Sequence, residues 1–135
     1  MSALSAFLHP TVTTEEKEVI ISKRFLGEDG KPVPFRIRSL TQEENSACNK
    51  AATRNIKVNG GYQEKTNQNE YISRLIVAAT LEPDFSSAEV CEYFGTKDPI
   101  QVPNKMLLAG EFAKLSAAIL ELSGFEQNLD DEAKN

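Results

Sequence analysis

Asn67-Gln-Asn-Glu-Tyr-Ile-Ser-Arg-Leu-Ile-Val-Ala-Ala-Thr-Leu81 carries the strongest helical period in the chain. Within it Ile72, Leu75, Ile76 and Ala79 recur at i, i+3, i+4 and i+7, the stripe of a helix that lays one face on a core. The spacing predicts a helix over 67–81, ended by Pro83, whose ring removes the amide that a further turn needs. Upstream, Thr41-Gln-Glu-Glu44 fits a capping box, so a second helix is expected from Gln42 to about Ile56, thinly apolar through Ala47, Cys48, Ala51 and Ala52. Asn59-Gly60-Gly61-Tyr62-Gln63-Glu64 reads as a loop between the two.

Further upstream the period changes. Val19-Ile-Ile-Ser-Lys-Arg-Phe25 is β-branched, and Phe35-Arg-Ile-Arg38 alternates with Phe35 and Ile37 on one face. Gly27, Gly30, Pro32 and Pro34 lie between them and bend the chain, which predicts a β-hairpin over 19–38. A hairpin alone is marginal in water, so its apolar face must pack on helices.

Downstream, Ser86-Ser-Ala-Glu89 reads as a second capping box, opening a short helix that stops at Gly95. Pro103 suits the first turn of a last helical region, with a break expected at Gly110. Beyond it Phe112, Leu115, Ile119 and Leu122 form a regular apolar row, and Gly124 is a natural stop. The fold class that follows is α+β, predominantly α: an N-terminal β-hairpin packed on a bundle of four to five helices. One domain is expected over 1–125, divided into an N-terminal arm 1–18, the hairpin 19–38 and a helical part 41–125. The acidic segment 126–135 has little to bury and is expected to be a mobile tail.

The 135 residues carry a formal charge of −5, and Glu126, Asp130, Asp131 and Glu132 against Lys134 place −3 of it in the last ten. The remainder is close to neutral, which offers little general attraction to nucleic acid or anionic lipid. Residues 19–38 hold a local excess of +3 from Lys23, Arg24, Lys31, Arg36 and Arg38 against Glu28 and Asp29. That is the pattern of a solvated sheet face, with contact to an acidic partner as the functional alternative. The start, Met-Ser-Ala-Leu-Ser-Ala-Phe-Leu, lacks the basic region of a signal peptide, and no run reaches the ~20 apolar residues of a membrane helix. Cytoplasm is the expected location.

Little in the chain suggests catalysis or a cofactor. His9 is the single histidine and sits beside Pro10 with no orienting partner, and Cys48 and Cys91 are too far apart in sequence to read as a metal motif. Both cysteines fit small buried hydrophobes. Glu82, Asp84, Glu89 and Glu92 gather at one corner, where turn and cap roles account for them better than paired acid–base work. No catalytic, cofactor-binding or metal-binding residue is assigned. Leu4, Phe7 and Leu8 make one short amphipathic turn that either docks on the core or serves as a binding arm.

The order of these pieces resembles the XkdN-like tail assembly chaperones of phages and prophages with long tails. The matching residues are Arg24-Phe25, Phe35-Arg-Ile-Arg38, Thr41 with Glu43 and Glu44, Pro83-Asp-Phe85, Tyr93-Phe-Gly95, Gly110-Glu-Phe112 and Leu122-Ser-Gly-Phe125, with the Leu4, Phe7, Leu8 segment before them. The resemblance implies a non-catalytic chaperone that binds the tape measure protein while tail tube subunits polymerise around it. The alternative is a structural tail or baseplate component. Helix-in-groove recognition of such a partner would draw its anchors from Phe112, Leu115, Ile119 and Leu122, with Phe7 and Leu8 covering the groove when it is empty.

Overall fold

A computed structural model describes residues 3–11 and 14–125. The segment 126–135, expected to be a tail, lies outside the described residues. The chain runs α1 (Ala3–Leu8), β1 (Glu16–Val19), β2 (Phe35–Arg38), α2 (Gln42–Ala51), β3 (Thr53–Val58) and β4 (Gly61–Thr66). It continues through α3 (Gln68–Ala79), β5 (Thr80–Glu82), α4 (Ala88–Tyr93), a 3-10 turn (Pro99–Gln101), α5 (Val102–Met106) and α6 (Ala109–Leu122).

Helix α3 is the spine, as its apolar stripe predicts. Asn67 caps it by accepting from the Glu70 amide at 2.9 Å, and Leu75, Ile76 and Ala79 are buried. Helix α6 packs beside it through Leu115 and Ile119, which are 0% and 1% exposed. Phe35 and Ile37 of β2 close the same core with Phe85 and Val102. On β2 these two side chains face inward while Arg36 and Arg38 face outward, the alternation of period 2.

Four expectations need correction. The sheet is three-stranded, ordered β1-β2-β5 and antiparallel throughout, so β2 is a central strand and not half of an isolated hairpin. Its first strand lies at Glu16–Val19, so that all but Val19 falls in the segment 1–18 expected to be an arm, and it pairs Val19 with Phe35 and Glu16 with Arg38. Residues 20–34 are a long connection pinched by a Leu26–Pro32 bridge. The third strand takes Thr80 and Leu81 from the end of the expected helix. Glu82 precedes Pro83 and is biased toward extended backbone, and β2 offers an open edge to receive it.

The second correction concerns residues 53–66, expected as helix end and loop. They form a second hairpin, β3–β4, with Val58 opposite Gly61 and Thr53 opposite Thr66. Thr53, Ile56 and Val58 favour strand, and Gly60 turns the chain at φ +86°, where other residues are strained. Helix α2 therefore stops at Ala51, although its capping box is formed as expected, with Glu44 N donating to Thr41 Oγ1 at 3.1 Å and Thr41 N to Glu44 Oε1 at 3.0 Å.

Third, the cap of α4 is Ser87 and not Ser86. The Val90 amide donates to Ser87 Oγ at 3.3 Å, while Ser86 N donates to Asp84 Oδ1 at 3.0 Å, a tight turn that moves the helix start on by one residue. Fourth, the final helical region breaks at Leu107–Leu108, not at Gly110. Glu111 fixes the restart, because its carboxylate accepts from the Leu108 amide at 2.8 Å and leaves Gly110 inside the first turn of α6.

Candidate functional site

Helix α1 has no buried residue, and Leu4, Phe7 and Leu8 are 62%, 80% and 64% exposed. Its spacing is that of an amphipathic turn, yet the apolar face meets water. That is an unfavourable arrangement for an isolated six-residue helix, which cannot offset its own ordering cost. A contiguous apolar face of this kind marks an interaction surface. Phe7 and Leu8, assigned to partner binding from the sequence, are thus presented to solvent.

The other assigned residues lie elsewhere. Leu115 and Ile119 are buried in the core against α3, and Phe112 and Leu122 pack half-buried against that core. The row on α6 is consumed by the domain itself, as the best amphipathic helix of a small fold should be. With Phe7 and Leu8 exposed, the structure does not bring them over that row. His9 is exposed as well.

The three arginines of 19–38 have internal partners. Arg24 donates from Nε and Nη2 to Glu111 at 2.9 and 2.6 Å, and again from Nη2 to the Met106 carbonyl at 3.2 Å. Its guanidinium also stacks 4.8 Å from the Phe25 ring centroid. Arg36 lies 3.3 Å from Glu82 and 3.7 Å from Glu16, and Arg38 grips Glu44 at 2.6 and 3.0 Å. The arginine charges of this segment are neutralised by carboxylates, those of Arg24 and Arg36 by ones distant in sequence. Sequence reading could not see this, because no local pattern pairs residue 24 with residue 111.

These pairs perturb the carboxylates. Glu44 is held at about 2, first by the Arg38 hydrogen bonds and then by the Thr41 amide. Glu111 is likewise at about 2, first through Arg24, then through the Ser22 hydroxyl and the Leu108 amide. Both depressions have structural causes, and neither group sits as a proton donor in a pocket. Burial pushes the Cys48 thiol up, which disfavours a reactive thiolate, and Cys91 Sγ donates to the Phe85 carbonyl at 3.3 Å. At the acidic corner Glu82 pairs with Arg36 and Asp84 holds a turn. Among the described residues no group of three or more His, Cys, Asp or Glu converges as a metal site, and no helix is long and apolar enough to cross a membrane.

One surface feature was missed from the sequence. Apart from Thr53 and Thr66 at its base, every residue of the β3–β4 hairpin is exposed, including Ile56, Val58 and Tyr62. The signals were the alternation of Thr53, Asn55 and Lys57 with Arg54, Ile56 and Val58, and the Asn59-Gly60 dipeptide between the strands.

Residues 4–134 match the profile of the phage XkdN-like tail assembly chaperone proteins. The chain is 35% identical over 131 residues to phage-like element PBSX protein XkdN of Bacillus subtilis strain 168, covering 93% of this chain and 88% of the relative. It is 36% identical over 124 residues to the uncharacterized protein YqbN of the same strain, covering 90% and 83%. A crystal structure of YqbN superposes with a TM-score of 0.74 at 29% identity, over 90% of this chain and 96% of that one.

Proposed function

The chain belongs to the phage XkdN-like tail assembly chaperone family, and from that premise we propose that it binds the tape measure protein of its phage or prophage during tail assembly, in the host cytoplasm and without catalysis. The observation that carries the proposal is the exposed apolar face of α1, with Phe7 80% exposed. A tape measure protein is a long helical chain whose apolar faces need cover until the tail tube encloses it, and a short apolar segment at the edge of a rigid domain offers reversible cover of that kind. Contact with the tail tube protein is a secondary expectation.

The test is co-expression of the tape measure protein of the same phage with the full chain, with a chain lacking residues 1–11, and with a Phe7→Ser/Leu8→Ser variant. Retention of soluble tape measure protein by the full chain, with loss in both altered chains, is the expected result. Failure of the full, folded chain to retain it overturns the proposal. Equal retention by all three removes only α1 from the binding surface. Mass spectrometry of purified particles separates a chaperone, absent from the finished tail, from a structural component.

A further inference from the structure

The β3–β4 hairpin stands off the domain with both outer edges unpaired among the described residues. Its base is fixed. Thr53 Oγ1 lies 2.6 Å from Thr66 Oγ1 and donates to the Asn49 carbonyl at 2.7 Å, and the Asn67 amide donates to the Ala52 carbonyl at 2.9 Å. Beyond that base, among the described residues, only Arg54 reaches back to the domain, donating to the Ala51 carbonyl at 2.5 Å and lying 3.4 Å from Glu70, and a two-stranded ribbon without a covered face is marginal in water. Strand β3 carries Arg54 and Lys57 with no acidic residue, a net +2. Arg54 reaches Glu70 at 3.4 Å, but Glu70 is already bound at 2.9 Å by Arg74, and Lys57 has no ion-pair partner among the described residues.

The three-stranded sheet ends in a second open edge, β1. Glu15, Glu16 and Glu18 against Lys17 give residues 15–19 a net −2. Glu16 pairs with Arg36, while Glu15 and Glu18 have no ion pair among the described residues. Charges on an edge strand block pairing of that edge with its own copy, and the same holds for β3 against β3. Pairing of β3 with β1 places opposite charges side by side. Among pairings of these two edges between copies, it is the combination the charges permit.

We propose that the hairpin is an intermolecular arm, and that β3 of one copy adds to the β1 edge of a second copy. The union makes a five-stranded sheet, β4-β3 of one copy continuing into β1-β2-β5 of the other. Because the two surfaces differ, the contact is head-to-tail and propagates unless rotation closes a ring. A junction of four to six residues is small, so association is weak and sensitive to salt. The proposal is independent of the tape measure reading.

Sedimentation velocity of the full chain, from low micromolar to ~1 mM, tests it at low salt and at about 1 M NaCl, where the screening length falls to about 3 Å. The expected result is a weight-average mass that rises from 14.9 kDa to at least double at low salt, with the rise suppressed at high salt. Two variants, Asn55→Glu/Lys57→Glu in the arm and Glu15→Lys/Glu18→Lys at the edge, should each stay monomeric alone and associate when mixed, since mixing restores opposite charges at both junctions. A mass that stays at one chain across the range overturns the proposal. So do variants that associate like the parent, or that remain folded and fail to restore association on mixing. Circular dichroism reports folding. Should either reversal unfold the chain, the neutral changes Lys57→Gln and Glu18→Gln carry the test, and unchanged association in both overturns it.

Discussion

Arg24 and Glu111 form a two-point contact across 87 residues of sequence, Nε to Oε2 at 2.9 Å and Nη2 to Oε1 at 2.6 Å. The same carboxylate accepts from the Leu108 amide at the start of α6, and the same guanidinium donates to the Met106 carbonyl at the end of α5. One pair therefore ties the long β1–β2 connection to the junction between two helices. Arg24→Ala or Glu111→Gln is expected to lower the melting temperature by a few degrees, with the double variant no worse than the more damaging single one. Calorimetry of the four-member cycle checks this, and additive losses would show that the two residues act separately.

Acid should weaken the fold in a defined window. Glu44 and Glu111 sit at about 2 in the folded chain against 4.5 for an ordinary carboxyl. A depressed folded value means that their contribution is fully present above pH 4.5 and is lost as pH falls toward 2. Urea midpoints measured from pH 7 to pH 2 should drop across that window, and Glu44→Gln should be less stable at pH 7 with a shallower drop. A parallel pH curve for that variant would remove Glu44 from the account.

Core and arm should separate cleanly. Ile119→Ala or Leu115→Ala removes fully buried side chains and should cost about 2–5 kcal/mol by denaturant unfolding. Phe7→Ser lies on an exposed face and should change stability by less than ~0.5 kcal/mol. A large loss from Phe7→Ser would place α1 against the core.

Gly60→Ala tests the hairpin turn. The glycine has φ +86° with nothing within 4 Å of an added Cβ, so the cost is backbone strain alone, about 1–2 kcal/mol. Hydrogen exchange should quicken at the amides of β3 and β4 and stay unchanged in α3 and α6. Faster exchange throughout the domain would mean that the hairpin is integral to the global fold.

Elements whose causes lie within a few residues are legible in the chain: the α3 stripe, the Thr41–Glu44 cap on α2, the inward pair Phe35 and Ile37, and the core row Leu115 and Ile119. The β3–β4 hairpin was also legible in its alternation and its Asn59-Gly60 turn, although helix propensity through Ala51 and Ala52 masked it. The central place of β2 emerges only on folding, since a three-residue strand at Thr80–Glu82 carries too little periodicity to declare itself and exists because β2 offers an unpaired edge. Tertiary structure likewise decided which arginines are neutralised, because opposite charges attract through space and not along the chain. It decided that Phe7 and Leu8 face water, because docking of an apolar turn depends on contacts with elements distant in sequence, and here the core is built from the domain's other helices and its sheet.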